Sequence, residues 1–222
     1  YDDPRSWTEP YFHAPNFYRT KLSWMAVPKS QHSKIPLQDQ IIAYKAIDTI
    51  KRLAESPDEP FFLAVGFHKP HMPWVFPEEF LEFYPEKDIN CPDNQYAPVD
   101  MPYIAWSRCD QFYSSTDVKE YHASWLPNST TLPDDFVKTL RRAYYSALSY
   151  ADSLLGQVVK ALDENGLGDN TIVSFIGDHG FELGEHGGWC KITNFEIATH
   201  APMMVRIPGV TDKGMTTDKL TE

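Results

Sequence analysis

The most informative stretch of the sequence is Thr171-Ile-Val-Ser-Phe-Ile-Gly177, which runs directly into Asp178-His-Gly-Phe-Glu-Leu-Gly-Glu-His-Gly-Gly-Trp-Cys-Lys191. The apolar first part predicts a buried parallel strand, because near-continuous Val, Ile and Phe suit a strand that is covered on both faces. The second part gathers acids, histidines, glycines and a lysine at the carboxyl end of that strand, where open α/β sheets place their ligands. The stretch therefore predicts an α/β protein with its functional site in this loop.

A second unit of the same kind surrounds His68. An apolar stripe at helical spacing begins near Leu37 and ends before Pro57, and it predicts an amphipathic helix. The run Phe61-Phe-Leu-Ala-Val-Gly-Phe67 predicts a second short buried strand, with His68 and His71 in the polar loop at its carboxyl end. Two such helix–strand–loop units predict a mostly parallel sheet flanked by helices.

The rest of the chain divides by its periodicity. An apolar stripe from about Pro133 to Asn165 predicts one long helix that Gly166 terminates. Residues 202–209 predict a third strand, and their prolines favour a place nearer the sheet edge. We expect residues 1–222 to be part of a single domain with four parts: an irregular segment over 1–36, the His68 unit over 37–73, a long loop region over 74–132, and a helix–strand–loop–strand unit over 133–209.

The composition argues against several classes of protein. Hydrophobic residues make up 42% of the chain and aromatic residues 14%, which is enough for a packed core. The net charge of −11 argues against nucleic acid or an anionic membrane as a partner, so an anionic substrate needs a local cluster of Lys and His. No apolar run approaches the roughly 20 residues of a membrane span. The sequence does not set the oligomeric state.

The cysteines and one sequon bear on the compartment. Three cysteines leave at least one unpaired. Cys91 and Cys109 flank a proline-rich loop and are candidates for a disulfide, whereas Cys190 is expected to be a buried thiol. Asn128-Ser-Thr matches the N-glycosylation acceptor and favours the secretory pathway. The first residue is Tyr1 rather than Met, which predicts a fragment or a processed product.

The paired Asp178 and His179 offer adjacent oxygen and nitrogen ligands for a cation. Gly177 and Gly180 on either side allow the bend that brings both side chains to one ion. A hard cation such as Ca²⁺ needs more oxygens than this, so other carboxylates must come from elsewhere. The plainer alternative is that Asp178 caps a turn and His179 is an ordinary surface histidine.

Lys191 and the histidines suit an anion. Lys191 is a point charge that matches sulfate or phosphate, and His68 at a strand end is placed to act as a general acid. Alternatively, Lys191 is simply solvated and His68 bonds to a backbone carbonyl. A zinc site remains open as well, although no pair shows the His-x-x-x-His spacing of a helix. Its four candidate ligands are His68, His71, His179 and His186.

Two blocks resemble signature blocks of the sulfatase family: Ala64-Val-Gly-Phe-His-Lys-Pro-His-Met-Pro73 and Gly177-Asp-His-Gly-Phe-Glu-Leu-Gly-Glu-His-Gly-Gly-Trp-Cys-Lys191. Residues 144–152 and 194–202 match the family too. The resemblance implies an alkaline-phosphatase-like sulfatase fold, incomplete at both ends here, and hydrolysis of sulfate esters. Asp-His in place of the family's more frequent Asp-Asn is similar to the branch that removes the 2-O-sulfate of iduronate from dermatan and heparan sulfate.

The resemblance also implies a role for each matching residue. Asp178 would be a calcium ligand, and His179 would stand at the position of a second ligand. His68 and Lys191 would contact the sulfate ester, with His68 as proton donor to the departing sugar hydroxyl. Phe181 would form the wall that meets the sugar. Supporting roles around this site are implied for Glu185, His186 and His200. The implied location is the lysosome or secretory pathway, or the extracellular space or periplasm outside animals.

The chain departs from the family pattern in its nucleophile. Sulfatases use a formylglycine made from the Cys of Cys-x-Pro-Ser-Arg, and none of Cys91, Cys109 and Cys190 stands in that motif. The paired N-terminal aspartates that complete the single Ca²⁺ site are absent too. We therefore expect the formylglycine upstream of this chain, and the chain alone to be inactive. The alternatives are a related sulfatase acting on a different sulfated sugar, or a non-catalytic calcium- or glycan-binding relative.

Overall fold

A computed structural model describes residues 3–123 and 132–219, so Asn128 and its sequon lie outside the described residues. The strands are β1 Trp24–Val27, β2 Trp74–Pro77, β3 Val173–Ile176, β4 Glu182–Leu183, β5 Trp189–Cys190 and β6 Met203–Arg206. The α-helices are α1 Lys29–His32, α2 Gln38–Leu53, α3 Asp110–Ser114, α4 Thr116–Lys119, α5 Asp134–Glu164 and α6 Glu196–Thr199. Short 3₁₀ helices cover Pro4–Ser6, Glu78–Phe83, Glu86–Asp88, Tyr103–Ala105, Gly168–Asn170 and Glu185–Gly187.

The long helix α5 is the centre of the fold, and its prediction from periodicity is confirmed. Its buried side recurs at helical spacing, from Val137 through Leu140 and Leu154 to Leu162. Gly166 ends it with φ +74°, a left-handed conformation that suits glycine. The N–H of Leu167 then donates to Leu162 O at 2.9 Å, which satisfies a carbonyl of the last turn.

The core lies between α5, α2 and the parallel pair β1–β2. Trp24 of β1 is in register with Trp74 of β2, and Trp74 and Phe76 are both 0% exposed. The buried indole of Trp74 donates from Nε1 to Pro70 O at 2.8 Å, so its polar atom is satisfied. The predicted helix of the His68 unit is confirmed as α2, which packs along α5.

The two strands predicted to precede the site loops turn out differently. β3 pairs antiparallel with β6, and every second side chain along it is exposed, so the prediction of a parallel strand covered on both faces is wrong here. Residues 61–67 alternate in exposure as an extended segment does, but no strand pairs with them in the described part of the chain. Phe61–Phe67 is therefore not a strand, because a strand requires a hydrogen-bonded neighbour.

The disulfide joins Cys109 to Cys190 across 81 residues, and Cys91 is free. The predicted Cys91–Cys109 pairing and the buried Cys190 thiol are both wrong. The reason is tertiary: α3 begins directly after Cys109, and its Phe112 stacks on Trp189 with ring centroids 4.7 Å apart. This contact places Cys109 beside the residue that follows Trp189. No helix within the described ranges is both long enough and apolar enough to cross a membrane.

Candidate active site

The loop that carries His68 is held by a buried carboxylate. Asp39 lies in the first turn of α2 and is 1% exposed. Its Oδ1 accepts the backbone N–H of His68 at 2.9 Å, and its Oδ2 accepts that of Lys69 at 2.8 Å. Because both oxygens are used out of contact with water, Asp39 fixes the position at which His68 leaves the backbone.

The ring of His68 is oriented by Gln38, the neighbour of Asp39 on the same helix. Nε2 of Gln38 lies 3.2 Å from Nε2 of His68 and also donates to Ala14 O at 3.0 Å. An amide nitrogen only donates, so Nε2 of His68 is the acceptor. The hydrogen of the neutral ring is then on Nδ1.

Lys69 carries a buried positive charge in the same loop. Its Nζ donates to His71 O at 2.6 Å and to Pro73 O at 2.9 Å. Burial lowers the pKa of Lys69 to about 8, with the charge of Asp39 acting in the opposite direction. The ammonium therefore ties the loop together from inside and adds positive charge next to His68.

The loop of Lys191 reaches the His68 loop from a distant part of the sequence, since Sγ of Cys190 lies 3.9 Å from Sδ of Met72. The pKa of His71 is lowered, first by burial, and then by the positive charges of Lys191, Lys69 and His68; a bond to Met72 O opposes these effects. Nδ1 of His71 lies 2.6 Å from Met72 O and so carries a hydrogen. The fold thus brings the loops that carry His68 and Lys191 together, and their positive charges act on the same side of a chain of net charge −11.

Asp178 and His179 lie in the loop after β3. The Asp178 side chain is 88% exposed, and its Oδ2 lies 3.4 Å from Nε2 of His179. Nδ1 of His179 donates to Gly180 O at 2.6 Å, which leaves the lone pair of the neutral ring on Nε2. A Cβ on Gly180 would lie 1.9 Å from Ile197 O, so only glycine fits there. The backbone therefore turns a carboxylate and an imidazole nitrogen toward one place.

These two residues fit one edge of a metal site but do not complete it. Ca²⁺ takes about six to eight oxygen ligands. The two described ranges bring no group of three or more His, Cys, Asp or Glu side chains together for a metal ion. The alternative zinc site is not assembled within them either, because His186 stacks on Phe195 with ring centroids 3.9 Å apart.

Phe181 lies in an aromatic cluster that connects the loop to the core. Its ring centroid is 5.2 Å from that of Tyr144 on α5 and 5.9 Å from that of Trp74 on β2. Trp74 and Tyr144 meet edge to face at 5.8 Å. Phe181 is half-buried, so one part of the ring anchors the loop while the rest remains accessible to a ligand.

An ion pair attaches the same loop to α5. Nη1 of Arg141 donates to Glu185 Oε1 at 2.7 Å and to Leu183 O at 3.1 Å. Oε2 of Glu185 accepts the N–H of Leu183 at 2.6 Å. The Arg141 side chain is only 14% exposed and that of Glu185 only 19%, so solvent screens the pair little. Glu185 therefore supports the backbone of the loop, whereas His200 pairs with Glu196 at the exposed surface.

Glu182 is an acid inside the loop, 1% exposed. Burial raises the pKa of Glu182 to about 7, and the charge of Glu185 raises it further while Thr193 lowers it. Nδ1 of His186 lies 3.5 Å from Glu182 Oε1. A Cβ on Gly188 would lie 2.8 Å from Glu182 Oε2, so glycine makes room for the carboxyl.

Sequence reasoning missed the residues that hold this site. Asp39 shares the buried stripe of α2 with Ala43, Ala46 and Ile50, and a carboxylate on an apolar stripe is the signal that could have found it. Helical spacing predicts that Arg141 lies on the solvated face of α5, opposite the apolar stripe, but its side chain is largely buried. Its partner is on a distant loop, so helical periodicity could not show the contact.

The sequence profile described as Sulfatase matches residues 9–222. Iduronate 2-sulfatase of Mus musculus is 34% identical over 228 residues, covering 95% of this chain and 40% of the mouse protein. The same enzyme of Homo sapiens is 33% identical over 223 residues, with coverage of 95% and 40%. The chain thus spans about 40% of the length of these relatives.

A solved structure of similar fold is the phosphonate monoester hydrolase of Agrobacterium radiobacter. It superposes with a TM-score of 0.55 and 25% identity, over 76% of this chain and 33% of that one. The profile and this superposition confirm the predicted α/β fold of the alkaline-phosphatase-like class.

Proposed function

The chain belongs to the sulfatase family, and from that premise we propose that it contributes the anion-binding side of an active site that hydrolyses sulfate esters. The observation that carries the proposal is the meeting of the loops of Lys191 and His68, where Sγ of Cys190 lies 3.9 Å from Sδ of Met72 and Lys69 adds its charge. A sulfate ester is an anion, and a local positive cluster is what an acidic chain needs in order to bind one.

In this proposal Lys191 binds an oxygen of the sulfate group through its ammonium. His68 acts as the imidazolium and delivers the proton of Nε2 to the oxygen that leaves with the alcohol. The neutral ring that remains keeps its hydrogen on Nδ1, which is the tautomer whose Nε2 faces Gln38. The accessible part of Phe181 contacts the sugar. Asp39 and Lys69 act on His68 by fixing its loop.

The metal and the nucleophile need groups beyond those described. Asp178 and His179 would hold one edge of a Ca²⁺ site, and the ion when bound would neutralise charge on the sulfate group. Cys109 and Cys190 are joined in a disulfide, and none of the three cysteines lies in Cys-x-Pro-Ser-Arg, so the formylglycine would come from outside these 222 residues.

The substrate we propose is the 2-O-sulfate of iduronate in dermatan and heparan sulfate. Its support is the Asp178-His179 pair together with the 34% identity to an iduronate 2-sulfatase. A disulfide persists in an oxidising compartment. The Cys109–Cys190 bond therefore supports a lysosomal, secretory, periplasmic or extracellular location. Residues 1–222 would form part of one catalytic domain.

The test is turnover by the complete protein that carries this chain. Substrates are an iduronate-2-O-sulfate disaccharide, glucosamine 6-sulfate, 4-nitrophenyl sulfate and a phosphonate monoester. Lys191→Ala should lower kcat/KM by about 10²- to 10³-fold on every sulfate ester, as the loss of an oxyanion contact does. Lys213→Ala removes the same charge at an exposed site and should leave kcat/KM unchanged.

His68→Ala distinguishes the role of a proton donor from that of an anion-binding residue. It should lower turnover of the sugar sulfate by about 10²-fold or more, and that of 4-nitrophenyl sulfate much less, because nitrophenolate leaves without a proton. Equal losses of turnover on both esters would contradict the proposed role of His68 as the proton donor. Turnover of other sulfated sugars without iduronate 2-sulfate would select the related-sulfatase alternative. Absence of turnover on every ester would select a non-catalytic binding protein.

A further inference from the structure

Lys191 is held through its backbone by one short segment, Ser107–Cys109. Oγ of Ser107 donates to Lys191 O at 2.5 Å. Cys109 is bonded to Cys190, the residue immediately before Lys191. Ser107 and Cys109, with one residue between them, thus hold two consecutive residues of the loop, although 81 positions separate the cysteines.

The backbone around Lys191 adopts an unfavourable conformation that contacts from other residues must stabilise. Cys190 has φ +84° and Ile192 has φ +72°, so residues with side chains stand in the left-handed region on both sides of Lys191. Such a conformation costs about 1–2 kcal/mol at each position and persists only when the surroundings hold it. The disulfide acts on the first of these residues, and the Ser107 bond acts at Lys191 itself.

The gripping segment is itself seated in the core. Ser107 is 8% exposed and Cys190 is 4% exposed. Phe112 of α3 is 0% exposed and stacks nearly parallel on Trp189, with 9° between the ring planes. The segment Ser107–Cys109 and the loop at Cys190 are therefore both attached to packed side chains, Phe112 and Trp189.

We propose that the Cys109–Cys190 disulfide and Ser107 form a clamp that positions the ammonium of Lys191 and thereby sets the affinity of the site for sulfate. The clamp rests on the proposed sulfate-binding role of Lys191, and it makes that role sensitive to reduction. A dithiol such as dithiothreitol cleaves the S–S bond, becomes the cyclic disulfide itself, and leaves two thiols at Cys109 and Cys190. Ser107 and the disulfide are positioning groups and do not touch substrate.

The experiment uses the complete protein and its affinity for inorganic sulfate. In Cys109→Ala/Cys190→Ala, the KM for 4-nitrophenyl sulfate and the inhibition constant of inorganic sulfate should both rise about tenfold, equivalent to about 1.4 kcal/mol. Ser107→Ala should raise both constants about threefold, and Ser107→Thr, which keeps the hydroxyl, should restore them. Cys91→Ala removes the free thiol and should change neither.

A purely stabilising disulfide gives a different result. In that case the double variant lowers Tm while KM and the sulfate inhibition constant stay at their wild-type values, and the clamp is overturned. If the double variant does not fold, reduction of the wild-type protein by dithiothreitol and reoxidation should raise and then restore the sulfate constant. A constant that does not respond to reduction, with the two thiols verified by alkylation, also overturns the clamp.

Hydrogen exchange tests the clamp independently of the proposed function. If the wild-type protein hydrolyses no sulfate ester, the proposed function fails, but exchange at the amides of residues 190–192 still reports on the backbone. Exchange there should be at least tenfold faster in the double variant than in Cys91→Ala. Equal exchange rates in the two variants would overturn the clamp whatever the activity.

Discussion

His68 depends on two adjacent residues of α2 for its chemistry. Asp39 fixes its backbone, and Gln38 fixes the tautomer of its ring. The motif around His68 predicts a proton donor. Which ring nitrogen carries the hydrogen in the neutral form follows only from the Gln38 contact. The chemistry of His68 therefore depends on which of its two ring nitrogens faces which partner.

Glu182 should make stability depend on pH. Its folded pKa is about 7, raised from 4.5, so between these values the folded state binds a proton that the unfolded state has lost. Stability contributed by the neutral carboxyl is present below about pH 4.5 and is lost as the pH rises through 7. Glu182→Gln cannot ionise and should be more stable than wild type at pH 8 by up to about 3 kcal/mol, with a much smaller difference at pH 5.

The measurement is urea unfolding of both proteins across pH 5–8. Glu120→Gln removes an exposed carboxylate and serves as the control, which should follow the wild-type curve. Parallel curves for wild type and Glu182→Gln would show that Glu182 does not titrate in this range.

Among the elements, the loop after β3 owes its shape to α5. The Arg141–Glu185 pair and the Phe181–Tyr144 contact both attach it to that helix. The loop contains only two-residue strands, β4 and β5, whose own hydrogen bonds are few. Its rigidity is therefore supplied by side chains of a neighbouring element.

A double-mutant cycle should show that this ion pair is coupled. Arg141→Met and Glu185→Gln should give a coupling free energy of about 2 kcal/mol, because the pair is shielded from solvent. The control cycle is Lys160 with Glu164, an exposed pair on the same helix, 71% and 60% exposed. Its coupling should be below about 0.5 kcal/mol, and a similar value for both pairs would refute the anchoring role of Arg141.

Substitution by alanine should change stability in opposite directions at two glycines, Gly156 inside α5 and Gly166 just after its end. A Cβ at either Gly166 or Gly156 meets no atom within 4 Å, so only backbone conformation differs. Gly166→Ala should destabilise by about 1 kcal/mol because φ is +74°. Gly156→Ala, in the helix interior, should stabilise by about 0.5–1 kcal/mol. Thermal unfolding of both variants measures the difference, and the same sign for both would contradict the assigned helix end.

For the whole molecule, two sequence-distant units meet at one site. The units around His68 and Lys191 lie before and after α5 in the sequence, and packing between α2, α5 and β2 brings their loops together, with Sγ of Cys190 3.9 Å from Sδ of Met72. Of the predicted metal ligands, Asp178 and His179 lie together, and no third His, Cys, Asp or Glu side chain of the described residues joins them. Under the proposed function, this arrangement would be the anion-binding side of a site whose other cation ligands come from elsewhere.

The 222-residue chain expressed alone should show no sulfatase turnover and should bind Ca²⁺ only weakly, with a Kd on the order of millimolar or above. The reason is that one carboxylate and one imidazole provide too few ligands. Calorimetric titration with CaCl₂ measures the affinity, with Asp178→Asn as the control that abolishes it. Turnover of 4-nitrophenyl sulfate by the purified chain would overturn the proposed need for an outside nucleophile.

The sequence alone determined the elements whose signal is local. The stripe of α5 and its stop at Gly166 follow from helical spacing and backbone conformation, and the loop motifs follow from residue identity. Only the tertiary structure decided which distant groups meet: Cys109 with Cys190, Arg141 with Glu185, and Cys190 with Met72. Such pairings depend on how whole elements pack, and no period of 2 or 3.6 residues encodes a contact across 81 positions.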